Sequence, residues 1–68
     1  MRSFYTDSIG STADLCQYAN KKTTRLTVRN PSGNTVHQEE YCTWKEAISA
    51  LTKHSDSWVN DLTHAAIH

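Results

Sequence analysis

The sequence predicts a small α+β domain in which an antiparallel hairpin is covered on one face by helices. Asn30-Pro31-Ser32-Gly33 is a strong turn signal, because proline presets φ at the second position and glycine supplies a left-handed residue. Thr43-Trp44-Lys45-Glu46 has the pattern of a helix capping box. With 68 residues, the chain has room for a single domain over residues 1–68 and one modest core.

The N-terminal part of the chain is expected to form a strand and then a helix. Residues 2–7 favour a short strand, because Phe4 and Tyr5 have high β preference, and whether this strand joins a sheet is left open. Residues 11–19 are expected to form a helix that Ser11 caps.

The segment before the turn alternates between apolar and polar residues, as half-buried strands do. The first strand covers residues 23–30, and its partner runs over residues 35–42. A three-residue loop pairs Asn30 with Asn34, so the ladder is expected to pair Val28 with Val36 and Arg25 with Glu39. This register places Leu26, Val28 and Val36 in the core and leaves a polar face formed by Arg25, Thr27, Arg29, His37, Glu39 and Tyr41.

The C-terminal part of the chain is expected to form two helices. The capping box opens the first, with Trp44, Ala47, Ile48 and Leu51 at core spacing. Ser55-Asp56-Ser57 ends it, and the second has the apolar stripe Trp58, Val59, Leu62, Ala65 and Ala66. The predicted order is therefore β-α-β-β-α-α, with either the hairpin alone or a three-stranded sheet.

Composition restricts the classes of function. Seven basic and seven acidic residues cancel, which is unlike a strongly basic nucleic-acid binder. No apolar run approaches the length of about 18 residues that a membrane span needs. The N-terminus lacks the apolar core of a signal peptide, so a cytoplasmic location is expected. Both cysteines, Cys16 and Cys42, are expected to be reduced.

Two groups of side chains are candidate binding sites. The first is the predicted polar face, which can dock a partner through its side chains or through strand edges. The second is a basic cluster of Lys21, Lys22, Arg25 and Arg29, which can contact phosphates while Tyr41 stacks on a base. A solvated sheet face with no partner is the simpler interpretation of the first group.

Metal binding and catalysis have weaker support in the sequence. His64 and His68 have the i, i+4 spacing of a helical zinc pair, but a structural site needs two further ligands. Cys42 beside a histidine would resemble a nucleophile–base pair, but the predicted register turns Cys42 toward the core. We therefore expect no metal, no cofactor and no enzymatic activity.

By elimination, the sequence favours a non-catalytic protein-binding module. In size, charge and layout the chain resembles the compact α+β proteins that bacteriophages and mobile elements encode, including anti-CRISPR proteins. This resemblance implies a small modulator or inhibitor that binds a larger protein or complex in a bacterial host cytoplasm. The alternative is a small nucleic-acid-binding protein that uses the basic cluster. Two points are left open: homodimer formation, and the exposure of Trp44 or Trp58 at an interface.

Overall fold

The structure, a computed structural model, describes residues 2–60 of the chain. Over these residues it contains five strands and one helix. In chain order they are β1 (Arg2–Thr6), β2 (Thr12–Gln17), β3 (Thr24–Arg29), β4 (Thr35–Tyr41), α1 (Trp44–His54) and β5 (Val59–Asn60).

The strands form one antiparallel sheet in the order β4-β3-β2-β1-β5. The first four strands are a meander in which each strand pairs with the next. β4 and β5 lie at opposite edges, so the chain has to cross the sheet between them. The helix α1 makes this crossing and therefore covers one face, where it contacts β2, β3 and β4.

The expected α+β class is confirmed, but the expected order β-α-β-β-α-α is wrong. The helix predicted over residues 11–19 is instead the central strand β2. Ala13 and Leu15 are buried while the residues between and beside them are more exposed, which is the two-residue period of a strand. Two hydrogen-bonded neighbours, β1 and β3, outweigh the helical preference of this short segment.

The residues before β2 form a turn, whereas the sequence predicts a helix cap at this point. A carboxylate oxygen of Asp7 accepts hydrogen bonds from the backbone N–H groups of Ile9 at 3.1 Å and Ser11 at 2.8 Å. Gly10 closes the turn at a φ of 95°, which a residue with a Cβ rarely adopts. This turn joins β1 to β2, so the N-terminal strand is part of the sheet.

The turn over residues 30–33 is confirmed. Asn30 N–H donates to the carbonyl of Asn34 at 2.9 Å, and Gly33 N–H donates to the carbonyl of Asn30 at 2.9 Å. The Asn30 side-chain oxygen also accepts from the N–H groups of Ser32 and Asn34. Gly33 supplies the left-handed residue, with a φ of 90°.

The predicted hairpin register is correct for the two pairs next to the turn, Asn30 with Asn34 and Arg29 with Thr35, and wrong for the pairs after them. Arg29 lies opposite Thr35 as expected, but a β-bulge follows, and Val28 then pairs with His37 rather than Val36. Every later pair is displaced by one residue, and a displacement of one residue moves side chains to the other face. Val36, expected in the core, is 57% exposed.

The core lies between the sheet and α1. Thr43 caps the helix by accepting a hydrogen bond from Glu46 N–H at 3.1 Å, which confirms the predicted start. Both tryptophans pack partly buried against the core. The fully buried apolar residues are Ala13, Leu15, Leu26, Val28, Ala47 and Leu51.

The second predicted helix is wrong where the structure describes it, because Val59–Asn60 is strand β5. Trp58 precedes this strand, and its indole N–H donates to the carbonyl of Leu51 at 2.7 Å, which fixes the chain against the end of α1. The remaining stripe residues, Leu62, Ala65 and Ala66, lie outside the described residues, as do His64 and His68. Between residues 2 and 60, no helix has the length and apolar character needed to cross a membrane.

Candidate protein-binding face

One face of the sheet carries α1, and we call the other face the open face. No described element covers it. Side chains alternate between faces along each strand, so the paired registers identify its members. They are Arg2, Phe4, Thr6, Thr12, Asp14, Cys16, Arg25, Thr27, Arg29, Gln38 and Glu40.

Only half of the predicted polar face lies on the open face. Arg25, Thr27 and Arg29 are there, as the alternation of β3 predicts. The other predicted members, His37, Glu39 and Tyr41, lie on the helix side instead, because the bulge at Val36 shifts β4 by one residue. Gln38 and Glu40 take their places, and no short-range signal in the sequence marks them.

The β1 side of the open face is organised by one arginine–carboxylate pair. Arg2 donates from Nε and Nη2 to the two carboxylate oxygens of Asp14, at 3.2 and 2.8 Å. Its guanidinium carbon also lies 4.7 Å from the centre of the Phe4 ring. The hydrogen bonds to Asp14 raise the pKa of the Arg2 guanidinium above its ordinary value. These contacts hold Arg2 in one orientation and neutralise its charge locally.

The β4 side of the open face has a looser pair. Arg25 lies 3.4 Å from a carboxylate oxygen of Glu40, with both side chains well exposed, so the pair contributes at most about 1 kcal/mol. Gln38 donates to the hydroxyl of Thr27 at 3.1 Å. Thr27 is 6% exposed although no element covers it, because longer side chains surround it on the open face.

Arg29 is the exception among the open-face arginines. It is exposed and forms no ion pair within residues 2–60. It borders a shallow groove of about 140 Å³ that Phe4 and Thr12 also line. It also borders a second groove of about 200 Å³, which extends toward Arg2 and Arg25. The open face therefore has an uncompensated positive charge at the junction of two grooves.

The predicted basic cluster is only partly assembled. Arg25 and Arg29 share the open face, separated by about 13 Å along β3. Lys21 and Lys22 lie in the turn between β2 and β3, and the Lys21 ammonium lies 5.9 Å from the centre of the Tyr18 ring. Tyr41, predicted to stack beside this cluster, lies on the helix side and cannot do so.

The displaced β4 side chains form a second polar group with the end of α1. The Tyr41 hydroxyl donates to a Glu39 carboxylate oxygen at 3.2 Å and is hydrogen-bonded to His37 Nε2 at 2.9 Å. Desolvation by partial burial raises the pKa of the Tyr41 hydroxyl, and the hydrogen bond to Glu39 raises it further. The ring of His37 lies 4.6 Å from that of His54, between ring centres. A groove of about 400 Å³ lies beside this group, between β4 and α1.

Cys42 does not lie where the predicted register places it. Both cysteines are free, and Cys42 is exposed rather than turned into the core, because it follows β4 where the chain leaves the sheet. Cys16 is half-buried on the open face. Over the described range 2–60, no three side chains of His, Cys, Asp or Glu are grouped to hold a metal ion.

Comparison of the chain with protein-family models, with curated proteins and with solved structures finds no match.

Proposed function

We propose that the chain is a non-catalytic protein-binding module that contacts its partner through the open face. The observation that carries this proposal is Arg29, an exposed arginine with no ion-pair partner in the described part of the chain, at the junction of two grooves. Arginine is enriched among the few residues that dominate binding energy in protein interfaces. The partner is expected to present a carboxylate to Arg29.

The surroundings of Arg29 favour a protein partner over a nucleic acid. Asp14 and Glu40 lie on the same face and would repel phosphates that approach Arg2 or Arg25. A protein surface can match such alternating charges, because it also carries both signs. Phe4 adds an apolar contact beside the charged groups. The face thus combines charged, polar and apolar groups, as protein interfaces do.

The class of partner rests on the resemblance in size and layout to phage and mobile-element proteins such as anti-CRISPR proteins. We propose a larger bacterial protein or complex, which the chain modulates or inhibits by occupying a surface in the host cytoplasm. A small module with a sheet fixed by α1 suits this role, because its open face needs little ordering on binding.

The proposal is tested by capture from a bacterial lysate with three immobilised proteins: the wild type, Arg29→Glu and Lys45→Glu. Lys45 is exposed on α1, away from the open face, so it receives the same change of charge as a matched control. Arg29→Glu is expected to weaken a stoichiometric complex by at least about thirtyfold, the size of a hot-spot loss. Lys45→Glu should bind like the wild type.

Folding of each variant is checked by far-UV circular dichroism. If Arg29→Glu retained the same captured protein at the same affinity as the wild type, the open face would not be the binding surface. Loss of binding by Lys45→Glu alone would place the interface on α1 and would also contradict the proposal.

A second candidate function is nucleic-acid binding along β3. The observation in its favour is that Arg25 and Arg29 share one face, with Lys21 and Lys22 in the turn at the Arg25 end. Its signature is an affinity for duplex DNA that falls with salt, with a slope of about −0.9 for each phosphate contacted. A titration from low salt upward distinguishes the two functions, since absence of binding to duplex and single-stranded DNA at low salt would eliminate this one.

A further inference from the structure

The edge strand β4 is long and unpaired on its outer side. Its seven residues pair with β3 on one side, and no described element pairs with the other. The opposite edge is different, because β5 has only two residues. An exposed edge of this length offers a row of backbone N–H and C=O groups to another strand.

Symmetry limits how two copies of β4 can pair with each other. In an antiparallel pair of identical edge strands, the two-fold axis is perpendicular to the sheet. The corresponding faces of both copies then lie on the same side of the joined sheet, so residues of one face pair only with residues of that face. In every allowed register, one residue of β4 therefore lies opposite the same residue of the other copy, and the two-fold axis passes between these two. The central choices are His37, Gln38, Glu39 and Glu40.

Charge separates these four registers. An axis at Glu39 or Glu40 places identical carboxylates directly opposite each other, which is destabilising. An axis at His37 places two imidazoles face to face. An axis at Gln38 instead places His37 of each copy opposite Glu39 of the other, and the two Gln38 side chains meet at the centre. Of the four registers, only this one places an imidazole directly opposite a carboxylate.

The helices support the same arrangement. α1 lies on one side of the sheet and makes its most extensive strand contacts with β3. In the pair, both helices therefore lie on that side of the joined sheet. The two β3 strands are three strand spacings apart, so the helix axes are about 14 Å apart. The groove between β4 and α1 of each copy then faces the other copy. Glu46 and Lys53 line this groove near opposite ends of α1, and neither forms an ion pair within residues 2–60. The two-fold axis brings Glu46 of one copy toward Lys53 of the other.

We propose that the β4 edge is a self-association surface, through which two copies pair antiparallel about a two-fold axis at Gln38. The sheets join into one continuous sheet with both helices on the same side and both open faces on the other. A single pair of seven-residue strands forms a small interface, and small interfaces bind weakly. The expected dissociation constant is on the order of 100 μM, so self-association is expected at high concentration or when a partner binds both copies.

The test uses sedimentation equilibrium of the full chain from about 10 μM to about 1 mM, well below and well above the expected dissociation constant. The wild type is expected to approach twice the monomer mass at the upper end. Gln38→Lys and Gln38→Glu each place like charges across the axis and should weaken the dimer about fivefold or more. An equimolar mixture of these two variants places opposite charges there and should restore association.

Asn60→Lys is the matched control, because it adds the same charge as Gln38→Lys to an exposed residue of β5, at the opposite edge of the sheet, and should associate like the wild type. Restored association in the mixture excludes misfolding as the cause of the lost association, since a misfolded variant would not associate with the other variant either. A wild type that stays monomeric at about 1 mM would overturn the proposal. So would charge variants that associate as strongly as the wild type, or a mixture that associates no more strongly than either variant alone.

Discussion

The β-bulge at Val36 makes a quantitative prediction about two valines. Val28 and Val36 lie near each other in the hairpin, and an unbroken ladder would place both in the core. In the structure Val28 is 3% exposed, whereas Val36 is 57% exposed. The same substitution, valine to alanine, should therefore have very different effects on the free energy of unfolding at the two positions.

The expected cost at Val28 follows from its burial. Val28→Ala removes two buried carbons, worth about 1.6 kcal/mol at about 0.8 kcal/mol each, and the cavity left behind adds about 1 kcal/mol. The total of about 2.5 kcal/mol is large against the roughly 3–10 kcal/mol expected for a domain of this size. At Val36 more than half of the side chain is already in water, so Val36→Ala should cost at most about 0.7 kcal/mol.

Urea denaturation followed by tryptophan fluorescence measures both values, since Trp44 and Trp58 pack against the core. The midpoint should fall strongly for Val28→Ala and little for Val36→Ala, with an unchanged slope in both. Equal losses of about 2.5 kcal/mol at the two positions would refute the bulge and restore the unbroken register.

Three further predictions concern single contacts. Thr43→Ala should lower the free energy of unfolding by about 1 kcal/mol, because the cap on Glu46 N–H is lost, and Thr43→Ser should preserve most of it in the same urea assay. Gly33→Ala should lower the free energy of unfolding by about 1 kcal/mol from backbone strain alone, since an added Cβ meets no atom within 4 Å. A loss much larger than the loss in Gly33→Asn would contradict this account. The raised pKa of Tyr41 means that the folded state holds this proton more tightly than the unfolded state. The stabilisation that Tyr41 contributes is therefore complete below a pH of about 10 and is lost as the pH rises through the pKa of the folded state. Tyr41→Phe should lack this part of the decline in the free energy of unfolding at high pH.

The features that the sequence predicts correctly are those fixed by short-range hydrogen bonds. The turn at residues 30–33 closes through Asn30 and Gly33, four residues or fewer apart. The start of α1 depends on Thr43 and the backbone of Glu46, three residues apart. Such contacts form within a segment, so residue types at fixed spacings are enough to predict them.

The features that the sequence does not predict depend on distant partners. Residues 11–19 have a plausible helix cap at Ser11, and only pairing with both β1 and β3 makes β2 a strand. Likewise, β5 exists because α1 returns the chain to the far edge, where Val59 meets Thr6. Pairing between segments this far apart cannot be inferred from local preference.

The candidate site shows how one residue changes a functional interpretation. Local alternation places Arg25 and Arg29 correctly, because β3 is regular. On β4 the extra residue Val36 exchanges the two faces, and nothing in the sequence of residues 35–42 indicates where a bulge falls. The predicted polar face is therefore correct on β3 and wrong on β4.

The same bulge separates the two surfaces proposed for this chain. It turns Gln38 and Glu40 toward the open face and moves His37 and Glu39 to the helix side, where a second copy can meet them. Arg29 lies on β3, one strand in from the edge, so Arg29→Glu should change partner binding and leave self-association intact. Self-association places both open faces on one side of a continuous sheet, so a partner with two binding surfaces gains affinity from the dimer that neither copy supplies alone. The edge of β4 thereby adds to partner binding without contributing a contact to the partner.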